Sequence, residues 1–159
     1  MEGSGMNIKL INIVLTLLTI LLTGCGEKYA LDRQMEELCK KDGGVKIYET
    51  VELPAEMFDE LGNLKAKKYV RKNDDYIVQI ADVYENSSES TEIKKGDPLK
   101  GEGRLTRIHS TVVRTSDKKL LAEMVEYNRA GGDLFVIGHH TQSHCPIEPI
   151  DVINKVFRK

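Results

Sequence analysis

The chain has no tryptophan, three phenylalanines and an aromatic content of 6% over its 159 residues. Aromatic platforms for stacking bases or sugars are therefore poorly supplied. There is no charge excess either, since 23 Lys and Arg stand against 25 Asp and Glu. Without a basic surplus to neutralise phosphates, nucleic acid is not an expected partner. A phosphate-binding loop is missing. Gly101-Glu102-Gly103 lacks the following Lys-Ser/Thr, and Gly131-Gly132-Asp133 reads as a turn. Carboxylate pairs such as Glu36-Glu37 and Asp74-Asp75 fall where solvated faces and turns are expected. Solvated carboxylates make poor acid–base partners. No internal repeat is visible.

The one long apolar run is Leu10 to Leu22, interrupted only by Asn12, Thr16 and Thr19. Its 13 residues are too few for a spanning helix, which needs about 20, but suit the core of a signal peptide. Lys9 supplies the positive flank, and small Gly24 precedes Cys25. Met6 would make a more ordinary start than Met1 for such a segment. Leu22-Thr23-Gly24-Cys25 resembles the lipobox of bacterial lipoprotein precursors. The resemblance implies that residues 1–24 are a signal peptide and that Cys25 becomes the acylated N-terminus. Gly26 rather than Asp follows, which in this class implies sorting, in a Gram-negative host, to the outer membrane, facing the periplasm.

Residues 1–24 carry one basic and one acidic side chain, so the net charge of residues 25–159 remains −2. That length is enough for a single domain with its own core. With Cys25 assigned to lipid, Cys39 and Cys145 remain as an even pair in an oxidising compartment, and a disulfide is expected. It would close a loop of over a hundred residues.

Leu31, Met35, Leu38 and Cys39 share one helical face, Lys40 and Lys41 suit a helix C-terminus, and Gly43-Gly44 would stop it. This predicts a helix over 28–41. Val45 to Val51 reads as a strand. Pro54 and Gly62 bracket a short helix. Lys67–Lys72 and Tyr76–Glu85, around Asn73-Asp74-Asp75, read as a hairpin with Tyr76, Val78 and Ile80 on one face. Residues 86–102 read as a flexible polar loop. Gly103–Thr115 reads as a long strand. Lys119–Tyr127 fits a helix or a strand, and its place after a short polar turn favours an antiparallel strand. Arg129–Glu148 reads as irregular, and Pro149 as the start of a final helix burying Ile150, Ile153 and Phe157. The predicted class is α+β: an antiparallel meander of about five strands, covered on one face by an N-terminal and a short C-terminal helix.

The densest group of reactive side chains is His139-His140-Thr141-Gln142-Ser143-His144-Cys145, with Asp133 upstream. His139, His140 and His144 are candidate zinc or copper ligands by type. A disulfide at Cys145 would remove the thiolate from that set. His144 beside Cys145 is also poorly placed to activate it, because neighbours in an extended chain point apart. The basic run Lys65, Lys67, Lys68, Arg71 and Lys72 either meets anionic headgroups or guards a strand edge. Leu38–Pro54, Glu123–Asp133 and Ser143–Pro146 together resemble a group of small proteobacterial lipoproteins that carries no catalytic motif. The expectation is a membrane-anchored binding or protein-interaction module that is not an enzyme and needs no cofactor. The alternatives are a periplasmic metal-binding protein using the loop 139–145 and an inhibitor or immunity-type lipoprotein.

Overall fold

Helix α1 (Gly26–Asp42) buries Leu31, Met35 and Cys39 at four-residue spacing, as one turn of 3.6 residues requires. It starts two residues before the predicted position and ends where Gly43 returns its N–H to the Cys39 carbonyl at 2.8 Å. A Cβ on Gly43 would meet Cys39 Sγ at 2.6 Å, so this stop needs glycine. A computed structural model describes residues 11–13, 15, 26–65, 67–72, 75–133, 139–147 and 151–159.

The strand expected over Val45–Val51 is two strands in two sheets. Strand β1 (Gly44–Ile47) pairs with the strand Leu120–Ala130. Tyr48 and Glu49 then both donate their N–H groups to the Leu121 carbonyl, at 2.8 and 3.1 Å, and the ladder ends. Two donors on one acceptor turn the chain out of the sheet. Strand β2 (Val51–Glu52) pairs instead, in parallel, with β9 (Phe157–Arg158) at the C-terminus. The short helix expected after Pro54 is only a 3-10 turn, Ala55–Met57. Phe58 leaves it to bridge Leu64, and that contact buries both side chains.

Strands β3 (Lys67–Lys72) and β4 (Asp75–Ile80) form the predicted hairpin. Ile80 is fully buried and Val78 half-buried, while the Tyr76 side chain lies outside the described set. Strand β4 stops at Ile80 rather than running to 85, because Ala81 and Asp82 turn the chain with φ of 51° and 56°. Residues 86–102 are not a loop: strand β5 (Tyr84–Lys94) occupies most of them, and the stretch from Lys95 to Gly103 contains only the 3-10 turn Pro98–Lys100. Strands β6 (Arg104–Arg114) and β7 (Leu120–Ala130) form a long hairpin, so the ambiguous segment is a strand. The region expected to be irregular after 129 contains β8 (Gln142–Cys145), which pairs back on β7. Asp151 caps the final helix α2 (Val152–Val156) by accepting from the N–H groups of Ile153 and Asn154. Pro149 and Ile150 lie outside the described residues. Ile153 is buried as predicted, and Phe157 is buried as the first residue of β9.

The fold is α+β, with a seven-stranded antiparallel sheet in the order β1-β7-β6-β5-β4-β3 and β8 beside β1 on the outer edge of β7. Register shows what each helix covers. Val112 pairs with Ala122 and Ser110 with Met124. Val112, Ala122 and Met124 pack with Val152, Ile153 and Val156 of α2. Leu105, Val125 and Tyr127 lie at the alternate positions and pack with Leu31, Met35 and Cys39 of α1. Side chains alternate across a strand, so the two helices sit on opposite faces, not on one face as predicted. The helix termini lie at opposite ends of the sequence, and the sheet buries a small core on each side.

Candidate functional site: a braced sheet face and an open one

Cys25, the expected lipidation site, lies outside the described residues, as do Leu22, Thr23 and Gly24. Among the described residues no helix is long and apolar enough to cross a membrane. Cys39 and Cys145 are bonded to each other, with Cα atoms 6.1 Å apart. The bond fixes α1 to β8, as the cysteine count predicts. His139 is exposed. His140 Nε2 faces Gln142 Nε2 at 3.0 Å, and His144 Nε2 contacts the Ile147 carbonyl at 3.2 Å. Among the described residues, no three His, Cys, Asp or Glu side chains are grouped to hold a metal ion.

The α1 face is braced by charges that sequence reasoning missed. Arg129 is 2% exposed and is held by hydrogen bonds from two of its nitrogens. Its Nε donates to Asp32 at 2.8 Å, and its Nη1 donates to the carbonyls of Gly131 and Thr141 and to Thr141 Oγ1. Asp133 accepts from the Thr141 N–H and hydroxyl, closing the segment that precedes β8, and pairs with Lys28 of α1 at 3.5 Å. One arginine thus ties the helix, the end of β7 and the start of β8 together. The available signal was alternation: Arg129 shares a face with Val125 and Tyr127, which lie under α1.

Further along this face Asp42 accepts from the Tyr127 hydroxyl at 2.7 Å and from Arg107 at 3.2 Å, and these bonds hold its carboxyl below the usual range. Glu123 accepts from the Tyr48 hydroxyl at 2.6 Å and from Lys46 Nζ at 3.1 Å, with His109 Nε2 at 3.3 Å. The Tyr48 hydroxyl and the Lys46 ammonium push its pKa down to about 2. Glu49 binds both Arg114 and Lys119. Each carboxylate here is engaged by donors of the same molecule, so the network serves as a brace for the fold.

The opposite face is divided. Its half near Ala122 is roofed by α2. On the other half, register aligns Glu92 with Thr106 and Asn128, and Asn128 with His144. Those residues, with Ser90, Arg104, Ala130 and Gln142, line an open polar groove of about 480 Å³. A second depression of about 500 Å³ continues it to the edge of α2, past Ser88, Ile108 and Glu126. Among the described residues Glu92, Glu126 and Asn128 have no hydrogen-bond or ion-pair partner. Chemically the groove offers hydroxyls, amides and charges of both signs, which suits reversible contact with a polar partner.

Comparison with protein-family models, with curated proteins and with solved structures found no match to this chain.

Proposed function

We infer that this chain is a lipoprotein of the bacterial cell envelope, anchored through lipid on Cys25 and exposing a binding module on the periplasmic side of the outer membrane. The address rests on the apolar run that ends in Leu22-Thr23-Gly24-Cys25. Helix α1 begins at the next residue, Gly26, so acylation at Cys25 would hold the folded part close to the bilayer.

The observation that carries the binding role is the open half of the sheet. It is broad and polar, and among the described residues it is uncovered, while the other face is fastened to α1 by a disulfide and a buried arginine. A polar, partly charged floor matches the composition of non-obligate protein interfaces, which are about as polar as ordinary surface. The module therefore engages another envelope protein, and blocking an envelope enzyme would be one form of that engagement.

Two measurements test this reading. Cys25→Ser is expected to abolish acylation and move the protein from the membrane to the soluble fraction; unchanged membrane retention would refute the anchor. Crosslinking of the anchored protein in cells, with photoreactive residues placed across its surface, is expected to trap a specific envelope protein. Recovery of no specific adduct from any position would refute the binding role.

A further inference from the structure

The edges of the sheet are guarded unequally. The outer edge of β3 has the sequence Lys-Lys-Tyr-Val-Arg-Lys. Lysine on an edge is a standard defence against unwanted strand pairing, and short edge strands are another. β1 and β8 have four residues each. β5 follows neither pattern. Its pairing with β4 ends at Ile77 and Ser87, yet β5 continues to Lys94. Beyond Ser87 it pairs with β6, and among the described residues no strand pairs with its other edge. Ser88 to Ile93 are all exposed. The stretch contains no proline and no lysine, and its one irregularity falls at the far end, between Glu92 and Lys94. Six extended residues offer about 20 Å of edge, with N–H and C=O groups directed outward at alternate positions.

The charge of this edge is one-sided. Glu89 pairs with His109 in register, on the α1 face, and Glu92 pairs with Thr106, on the groove face. Among the described residues neither carboxylate has a hydrogen-bond or ion-pair partner. Lys94 is engaged by Glu27 of α1, so it does not neutralise them. A strand laid along the edge would meet one free carboxylate on each of its two faces.

We propose that the outer edge of β5 from Ser88 to Ile93 accepts an extended, lysine- or arginine-bearing segment of a partner protein as an added strand. Backbone hydrogen bonds supply the attachment, and Glu89 and Glu92 select basic side chains on the two faces. This deepens the binding-module reading by naming the surface and the class of partner.

The test uses the full mature chain and a capped nine-residue peptide that repeats Lys-Lys-Thr, which puts lysine on both faces of an extended strand. Binding is followed by fluorescence anisotropy, and its location by hydrogen exchange. The expected result is slowed exchange at the outward-facing amides of Ser88–Ile93. Binding should weaken at least tenfold when alternate peptide nitrogens are methylated, when glutamate replaces lysine in the peptide, and in the Glu89→Lys, Glu92→Lys double variant. Both glutamates are exposed, so that variant is expected to keep the parent's unfolding temperature. Absence of binding, protection at β3 or β8 in place of β5, or indifference to methylation or to charge reversal would overturn the proposal. A partner crosslinked elsewhere on the surface would overturn it as well while leaving the binding-module reading intact.

Discussion

The two halves of β5 meet opposite fates within one strand. Tyr84 to Ser87 lie between β4 and β6, are half-buried, and begin at the T-shaped contact of Tyr84 with Phe157, whose ring centroids are 5.0 Å apart. Among the described residues, Ser88 to Ile93 pair with one strand, β6, and are exposed throughout. The first half belongs to the core and the second half to the surface, although both are polar in sequence. Composition alone does not decide which part of a strand is structural. Coverage does, and here coverage stops where α2 and the β3–β4 hairpin stop.

That contrast can be broken most severely from the covered side. Replacing Cys39 and Cys145 by alanine removes a crosslink across 106 residues, which the chain-entropy account values at about 4–5 kcal/mol. A large fall in unfolding temperature is expected, together with faster exchange in α1 and β8. Leu121→Ala strikes the covered core, where Leu121 is fully buried, and about 3 kcal/mol should be lost in denaturant titrations.

A smaller effect is expected from pH. The folded-state pKa of Glu123, about 2, lies below the ordinary 4.5. Its contribution is therefore complete above about 4.5 and disappears as pH falls toward about 2. The side chain is 21% exposed, so on the order of 1 kcal/mol is at stake. Glu123→Gln should flatten the acid limb of the stability profile. The smallest effect belongs to the open half: Thr91→Ala should change stability by less than about 0.5 kcal/mol. A larger loss at Thr91 would mean that this half of β5 is structural after all.

Legibility in the sequence followed the same division. The α1 face could be read from Leu31, Met35 and Cys39, and the disulfide from counting cysteines. The β6–β7 hairpin was visible because a long strand, a polar turn and an alternating segment agree. β5 was hidden because Asn-Ser-Ser-Glu-Ser-Thr-Glu has the composition of a loop. What makes it a strand lies elsewhere in the chain. Ser87 meets Thr111 and Ser88 meets Ser110, hydroxyl to hydroxyl, at 3.1 and 2.7 Å, and Asn86 donates to the Thr111 carbonyl. Such cross-strand pairs exist only once β6 is in place. The split of Val45–Val51 was hidden for a related reason, since both pieces have strand composition and only the Leu121 carbonyl and the distant β9 separate them.

The site was less legible than the fold. Its histidines drew attention through their density, yet His140 and His144 engage Gln142 and Ile147. The groove and the free edge are made of ordinary serines, threonines and glutamates whose meaning depends on register. Arg129 falls at the start of a segment that reads as irregular, and only its place in β7 puts it beneath α1.

The exposed half of β5 is the proposed meeting surface for a partner. Photocrosslinking in cells from Thr91, with Glu56 as an exposed control on the 3-10 turn, tests it most directly. A discrete adduct is expected from position 91 that is lost with Glu89→Lys and Glu92→Lys, and none from position 56. Adducts from position 56 alone, or an adduct at 91 that survives the charge reversal, would contradict that role.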